Sequence, residues 1–310
     1  MKRLTAALAL ACALALSSQG TAHAADTYTQ TKHPVVLVHG LLGFDAIGPI
    51  DYFYGVPSAL RSGGAVVFTP EVSQANSTEA RGEQLLKQLQ ALQARYGYTK
   101  FNLVGHSHGG NTIRYVAAVA PGLVASVTSV GTPHTGSKVS DGIAGFADAT
   151  HTTGLASTLV NGLSKLIAFL SGNTNSNPQD SFAALQSLST TGAADFNRRF
   201  PQAAPTRTCG QGAEVVNGVR YYSFGGISVL TNVLDISDVA LGTGALFFGF
   251  EQNDGLVSQC SSHWGKVLRD NYPWNHLDEA NQAFGLRGLF TPDPVAMYRS
   301  HANRLKGLGL

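Results

Sequence analysis

The pentapeptide Gly105-His106-Ser107-His108-Gly109 constrains the fold of this chain more than any other stretch. It follows the short apolar run 101–104, which is typical of a buried parallel strand, and precedes a helical pattern over 110–119. The chain must therefore turn sharply from strand to helix with Ser107 at the apex, in a strained backbone conformation. Only glycine at 105 and 109 lets the strand and the helix pass this close. The turn also points the Ser107 hydroxyl outward at the helix N-terminus, where the macrodipole favours developing negative charge.

A strand, a G-x-S-x-G pentapeptide and a helix in this order resemble the nucleophile elbow of the α/β-hydrolases, which implies that Ser107 is a nucleophile. An ordinary glycine-rich turn is the alternative. Further short apolar strands are predicted at 35–38, 65–69 and 125–130, with helices between them. This alternation predicts an α/β fold with a mostly parallel central sheet, right-handed crossovers and flanking helices.

The N-terminal 25 residues have the pattern of a secretory signal: Lys2 and Arg3, an Ala/Leu-rich run over 4–16, and then small residues. Cleavage is expected after Ala24 or Ala25. The apolar run is too short to span a bilayer. Cys12 would suggest a lipoprotein anchor, but no large apolar residue stands three positions before it. The remaining chain, 26–310, is long enough for one large α/β domain and is expected to be a secreted protein that passes through the periplasm.

Composition excludes one large class of partner. Removal of Lys2 and Arg3 leaves 19 basic side chains against 19 acidic ones. A balanced chain lacks the basic footprint that nucleic-acid binding requires. Charged residues make up only 13% of the chain and hydrophobic residues 44%, so a large core is expected. Two cysteines remain after the signal, Cys209 and Cys260, and in an exported protein we expect them to form a disulfide rather than two free buried thiols.

A second glycine motif, His39-Gly40-Leu41-Leu42-Gly43, ends the first predicted strand. In an α/β-hydrolase this is the place of the second oxyanion donor. The predicted donors are therefore the backbone amides of Leu41 and of His108, the residue after the nucleophile. His39 precedes the serine and is expected to orient the loop rather than to act as a base.

Two helices carry distinct predictions. Asn76 and Glu79 are spaced as a capping box before an amphipathic helix over 79–96, whose leucine stripe indicates core packing. Leucines and other apolar residues also recur at helical spacing over 155–170. This second stripe predicts a helical lid in the region 137–179 that covers an apolar cleft, and a buried core helix is the alternative. Strands are also expected at 220–224 and 246–250.

The order Ser, acid, His in this fold directs the search for the other two catalytic residues downstream of Ser107. His276, in a loop before a helix expected to start at Asp278, is the best placed histidine, with His263 in reserve. Asp254 stands at a turn after an apolar segment and is favoured as the acid. The alternatives are Asp235 and Asp238.

From Thr27 onward the chain resembles the secreted, calcium-dependent and foldase-dependent bacterial triacylglycerol lipases of the Pseudomonas/Burkholderia type. The segments that carry the resemblance are 28–32, 39–44, 81–86, 105–110, 209–210, 253–257, 260–263, 275–279 and 301–305. It implies a triad of Ser107, Asp254 and His276 and a Cys209–Cys260 bridge.

The resemblance also implies one structural Ca²⁺. Its ligands would be the carboxylates of Asp235 and Asp278 and the backbone carbonyls of Gln282 and Leu286. Calcium takes such oxygen ligands, and an ion at Asp278 would fix the loop of His276. Without the resemblance, Asp278 is more simply a helix N-cap.

The expected function is hydrolysis of long-chain triacylglycerols at a lipid–water interface through an acyl-enzyme. A carboxylesterase or polyester depolymerase with the same triad is the alternative enzyme, and a non-catalytic hydrolase-fold binding protein is the alternative of another class. The expected partners are the lipid ester and, during export, a lipase-specific foldase chaperone. The mature chain is expected to be a monomer without an integral membrane segment.

Overall fold

The structure of the chain is a computed structural model that describes residues 26–41, 43, 46–47, 50–148, 176–235 and 237–310. The predicted signal sequence, 1–25, and the apolar stripe of the predicted lid, 155–170, lie outside the described residues. Both therefore stay predictions. Among the described residues, none of the helices combines the length and the apolar character needed to cross a bilayer.

Seven strands form one sheet, and the strands are largely parallel. In chain order, the strands are β1 (Val35–Val38), β2 (Ala46–Ile47), β3 (Ile50–Asp51), β4 (Val67–Phe68), β5 (Phe101–His106), β6 (Val124–Val130), β7 (Val215–Val216), β8 (Val219–Gly226) and β9 (Lys266–Tyr272). The sheet runs β4-β1-β5-β6-β8-β7, and β9 also pairs with β8. Every pair in it is parallel except β7 with β8, while β2 and β3 form a separate antiparallel ladder.

Helices alternate with the strands as the sequence predicts. They are α1 (Val56–Ser62), α2 (Thr78–Tyr96), α3 (His108–Val119), α4 (Lys138–Asp148), α5 (Ser181–Leu188), α6 (Thr190–Arg199), α7 (Ser237–Ala245) and α8 (Pro294–Gly307). Short 3₁₀ helices occur at Pro121–Leu123, Leu246–Phe248, Cys260–Ser262, Asp278–Ala280 and Ala283–Gly285. The expected helix after His276 is thus a single 3₁₀ turn.

The helices cover both faces of the sheet, because alternate residues of a buried strand point to opposite sides. Val36 and Leu103 pack with side chains of α2 and α3 in one apolar cluster. Val35 and Val104 pack with side chains of α1 and α8 in another. The central strands β1, β5 and β6 are therefore buried along their whole length, as expected for a parallel sheet that is covered on both faces.

Two local predictions are wrong, and one strand was missed. Ser77, not Asn76, caps α2: its hydroxyl accepts from the amide of Ala80, while the Asn76 side chain donates to the carbonyl of Pro178. The segment expected as a strand at 246–250 begins with a 3₁₀ helix, since a short apolar run does not distinguish the two. Strand β9 was not predicted, because its charged, partly exposed residues hide an edge strand.

Cys209 and Cys260 are joined in a disulfide that closes a 51-residue separation. The bond ties the segment after α6 to the 3₁₀ helix that precedes β9. The expected pairing is therefore present in the structure.

Candidate active site

Ser107 occupies the sharp turn between β5 and α3. Its backbone has φ 54° and ψ −130°, a left-handed conformation that non-glycine residues rarely adopt. A Cβ at Gly105 would lie 2.4 Å from backbone atoms of Gly109, and one at Gly109 would lie 2.2 Å from the carbonyl oxygen of Val38. Both glycines are therefore required sterically, and the strain expected at the apex is present.

A cavity of about 170 Å³ lies above the sheet, and both Ser107 and His276 line it. The cavity is mainly apolar, and the remaining lining residues are Leu41, Tyr52, Ala75, Pro133, Ser137, Val139, Ser140, Ile143, Ser181, Leu185, Leu188, Leu256, Val257 and Leu277. A concave apolar site with two convergent reactive side chains is typical of an enzyme that acts on an apolar substrate.

The imidazole of His276 is held by Asp254. His276 Nδ1 lies 2.7 Å from Asp254 Oδ2, and both side chains are buried. The other carboxylate oxygen, Oδ1, accepts from the amides of Leu256 at 2.9 Å and Val257 at 2.7 Å. Since a carboxylate only accepts, the proton of the neutral imidazole is on Nδ1, and the lone pair on Nε2 is left for a general base.

The turn that carries His276 is built on Asn275. Its side-chain oxygen accepts from the amides of Leu277 and Asp278, and its Nδ2 donates to Asp238 Oδ1 over 2.7 Å. Asp238, an alternative acid, also accepts from two amides of the loop before α7 and does not contact His276. Asp238 therefore orders the histidine loop from outside.

The reserve histidine has another role. His263 Nε2 pairs with Asp270 Oδ2 at 2.9 Å, and His263 Nδ1 donates to the carbonyl of Gly210, beside the disulfide. It is not among the residues that line the cavity with Ser107. The structure thus brings Ser107, Asp254 and His276 together and leaves His263 outside.

The two predicted oxyanion donors come from separate segments of the chain. Leu41 follows β1 and lines the cavity, and His108 is the first residue of α3. His39 Nδ1 donates to the carbonyl of Gly40 over 2.9 Å, and Nε2 accepts from the amide of Val72. His39 therefore supports the Leu41 loop. Burial is the main cause that lowers the pKa of His39 to about 3, so this imidazole is neutral.

Tyr52 and His106 form a bridge beneath the site that the sequence did not indicate. His106 Nε2 donates to the carbonyl of His276 over 2.8 Å, which leaves Nδ1 to accept the hydroxyl proton of Tyr52 over 2.7 Å. Burial lowers the pKa of His106 well below its usual value, and the ring stays neutral. The bridge joins a residue of the cavity wall to the backbone of the histidine loop.

Glu279 was also missed, because nothing in the sequence indicates that this carboxylate is buried. Its Oε1 accepts from the amide of Gly226 at 2.5 Å, and its Oε2 lies 3.5 Å from His106 Nε2 and 3.8 Å from His276 Nδ1. Burial, and then the neighbouring Asp254, raise the pKa of Glu279 well above its usual value. The side chains of His106, His276 and Glu279 lie close enough together to hold a metal ion, but both histidines already have hydrogen-bond partners.

Two carboxylates meet behind the histidine loop. Asp235 and Asp278 are both buried, and Asp235 Oδ2 and Asp278 Oδ1 have no hydrogen-bond partner among the described residues. Burial, with repulsion from Asp235 and Asp238, raises the pKa of Asp278 to about 7. Gln282 and Leu286 flank the 3₁₀ helix that follows. Paired buried carboxylates with unsatisfied oxygens have the donor chemistry of a hard cation site.

Comparisons with known proteins show which family the chain belongs to. Residues 33–223 match the family model described as the alpha/beta hydrolase fold. A triacylglycerol lipase from Vibrio cholerae is 53% identical over 297 residues, which cover 96% of this chain and 92% of the relative. A triacylglycerol lipase from Burkholderia plantarii is 43% identical over 338 residues, which cover 98% and 94%.

Among solved structures, a lipase from Staphylococcus hyicus superimposes with a TM-score of 0.60 at 18% identity, over 90% of this chain and 97% of that one. At this identity the likeness supports the fold alone. The sequence matches are more specific, because their identity is higher and they cover nearly the whole chain. The chain belongs to the α/β-hydrolase fold family and, within it, to the family of bacterial triacylglycerol lipases.

Proposed function

We propose that the chain is a secreted serine lipase that hydrolyses long-chain triacylglycerols at a lipid–water interface. The observation that carries this proposal is that Ser107 and His276 line one apolar cavity, while Asp254 holds the far side of the imidazole. The sequence relatives are themselves named triacylglycerol lipases.

In the proposed reaction, His276 Nε2 takes the hydroxyl proton of Ser107 as Oγ attacks the ester carbonyl carbon. The carbonyl π electrons move to oxygen, and the amides of Leu41 and His108 stabilise that oxyanion. Each such donor is worth about 3–4 kcal/mol in enzymes where it has been measured. The imidazolium is stabilised by Asp254.

Collapse of this intermediate breaks the bond to the alcohol, which leaves with the proton from His276 Nε2. The fatty acyl group stays on Ser107 Oγ. A water molecule then gives its proton to His276 and attacks the acyl carbon. A second tetrahedral intermediate releases the fatty acid, and the proton returns to Ser107.

Calcium is part of the same proposal. The unpartnered oxygens of Asp235 and Asp278 support a cation held by these two carboxylates, with the carbonyls of Gln282 and Leu286 completing the site. When bound, the ion neutralises two buried negative charges that otherwise repel each other. Since Asp278 lies two residues after His276, the role is structural, and no step of the reaction uses the metal.

Export completes the proposal. The segment 1–25 supports secretion through the periplasm with removal of the signal, and the disulfide supports an oxidising compartment. A lipase-specific foldase is the proposed partner during export, and the mature enzyme is proposed to be a monomer.

The test is Ser107→Ala, compared with Ser58→Ala, an exposed serine on α1. Hydrolysis of a triolein emulsion and of soluble p-nitrophenyl butyrate is measured for each. We expect Ser107→Ala to lose several orders of magnitude on both substrates with an unchanged circular dichroism spectrum, and Ser58→Ala to keep full activity. Hydrolysis of the soluble ester alone by the unmodified protein would indicate a carboxylesterase instead.

A further inference from the structure

Arg81 is a buried cation without a counter-ion among the described residues. It lies on the first turns of α2, its side chain is completely buried, and no described carboxylate forms an ion pair with it. Removing a charge from water without an opposite charge is costly, so its hydrogen bonds must offset that cost. The acceptors of these hydrogen bonds therefore indicate the role of Arg81.

The guanidinium is linked to both halves of the predicted oxyanion hole, directly to the backbone of His39 and through Thr112 to that of His108. Nη2 donates to the carbonyl of His39 over 2.6 Å, two residues before Leu41. Nε donates to Thr112 Oγ1 over 3.1 Å, and that hydroxyl donates in turn to the carbonyl of His108 over 3.0 Å. One rigid planar side chain thus joins the loop after β1 to the first turn of α3.

A third contact fixes the same group to the cavity wall. Nη1 donates to the carbonyl of Ser73, two residues before Ala75, which lines the cavity with Ser107. The fork therefore has acceptors in three separate segments, all of which lie beside the reactive serine. A side chain with a packing role alone would not need a charge at this place.

We propose that Arg81 is a positioning residue of the oxyanion hole. It fixes the Leu41 and His108 amides relative to each other and adds a permanent positive charge behind them. This inference rests on the proposed serine hydrolase mechanism. A positive charge linked to the segments of both donor amides favours a negative oxygen between them, so it would stabilise the tetrahedral intermediate more than the neutral ester.

The surrounding groups agree with this role. Burial lowers the pKa of Arg81 to about 9, so the guanidinium is still charged at neutral pH. Burial, followed by the charge of Arg81, lowers the pKa values of His39 and His108, and both imidazoles are neutral. The hydroxyl of Thr78 lies 2.8 Å from His108 Nε2, so α2 supports that histidine as well. The charge of Arg81 is therefore not duplicated by its neighbouring histidines.

The chain supplies a matched control in Arg114 on α3. Arg114 is also buried and has no described carboxylate partner, but it stacks on Trp264 at 3.3 Å and donates to Asn197 and the carbonyl of Phe200. Its other contacts are Asn111 Oδ1 at 3.4 Å and His134 Nδ1 at 3.1 Å, and among the described residues it has no bond to His39, His108 or Thr112. Arg81→Gln, Arg81→Lys, Thr112→Val and Arg114→Gln are compared in the full-length mature enzyme.

The readouts are kcat and KM for p-nitrophenyl butyrate, the inhibition constant of butylboronic acid, and Tm. Butylboronic acid forms an anionic tetrahedral adduct with an active serine, so it reports the oxyanion environment. We expect Arg81→Gln to lower kcat and boronate affinity together by about 10- to 100-fold with KM changed less than about threefold. Arg81→Lys should recover part of the loss, because it restores the charge without the fork.

Arg114→Gln should lower Tm while its boronate affinity stays within about twofold of the unmodified enzyme. Thr112→Val cuts only the link to His108, so it tests the proposal even if Arg81→Gln does not fold, and we expect boronate affinity to fall severalfold. The proposal is overturned if folded Arg81→Gln binds the boronate normally, if Thr112→Val does so when Arg81→Gln does not fold, or if Arg114→Gln weakens boronate binding as much as Arg81→Gln does. The serine mechanism itself would be unaffected, since it depends on the Ser107→Ala result.

Discussion

His276 and Asp254 are joined twice. The imidazole Nδ1 lies 2.7 Å from Asp254 Oδ2, and the backbone amide of His276 donates to the backbone carbonyl of Asp254 over 2.9 Å. The second bond does not involve the carboxylate. A substitution of the Asp254 side chain therefore leaves the histidine loop in register, and its kinetic effect reports the carboxylate itself.

Asp254→Asn should be more damaging than Asp254→Ala. The amides of Leu256 and Val257 require an acceptor, so the Asn oxygen faces them and its NH₂ group faces His276. The imidazole would then carry its proton on Nε2, which is the wrong tautomer for a base. We expect kcat to fall by about 10⁴-fold in Asp254→Asn, as for the equivalent change in a serine protease.

Asp254→Ala imposes no wrong tautomer, and Glu279 Oε2 lies 3.8 Å from His276 Nδ1. We therefore expect Asp254→Ala to retain at least about tenfold more kcat than Asp254→Asn. Addition of Glu279→Gln to each variant separates the support that Glu279 gives to His276 from the effect of the wrong tautomer. If the Ala variant loses nothing when Glu279 is also replaced, Glu279 does not support the histidine.

Removal of calcium should destabilise the enzyme. A ligand that binds only the native state at 100 times its Kd contributes about 2.7 kcal/mol, which corresponds to roughly 5–10 °C in Tm for a chain of this size. Calorimetry in EGTA, in calcium and in magnesium measures this difference. The calcium response should be lost in Asp235→Asn, which removes the negative charge of one of the two carboxylates that each have an oxygen without a partner among the described residues. Equal Tm values in EGTA and calcium, with metal content verified, would contradict the site.

The sequence predicted those parts of the site that depend on local constraint. The elbow at Ser107 depends on two glycines that are required because backbone atoms pass close to them. Asp254 and His276 follow at turns, in the chain order expected for the fold. Arg81 and Glu279 were missed because their importance comes from contacts with residues distant in the chain. A helix stripe or a loop carboxylate has the same appearance whether it faces water or a catalytic group.

The disulfide should contribute mainly to stability and not to chemistry. Closing a loop of 51 residues stabilises a protein by about 4 kcal/mol in the chain-entropy model. The double variant Cys209→Ala/Cys260→Ala should lose a comparable free energy of unfolding in urea, with kcat unchanged at 25 °C. The unmodified enzyme, after reduction and alkylation, is the control. An unchanged unfolding midpoint for both would show that the bond adds no stability.

Acid should unfold this protein through its buried histidines. Burial strongly lowers the pKa of five histidines, and for two of them, His39 and His301, the value is about 3. The other three with a strongly lowered pKa are His106, His108 and His134. A group with a lowered histidine pKa stays neutral in the folded state but takes up a proton once unfolded. The contribution of these histidines to stability is therefore complete above about pH 6.5 and is lost as the pH decreases below it.

His301 gives a clean test of this titration, because it lies on α8, away from the cavity, with its Nε2 2.7 Å from Thr128 Oγ1. Urea unfolding at pH 7.5, 6.0, 5.5 and 5.0 gives the slope of the free energy of unfolding against pH. Each buried histidine adds up to about 1.4 kcal/mol per pH unit to that slope. His301→Gln keeps a hydrogen-bonding side chain but does not titrate. At pH 5.0 its slope should therefore be smaller than that of the unmodified enzyme by the contribution of one proton, about 1.4 kcal/mol per pH unit. The two proteins need not have the same free energy of unfolding at pH 7.5, because only the slopes are compared. Parallel pH profiles for the variant and the unmodified enzyme would mean that His301 is already protonated in the folded protein, contrary to its burial.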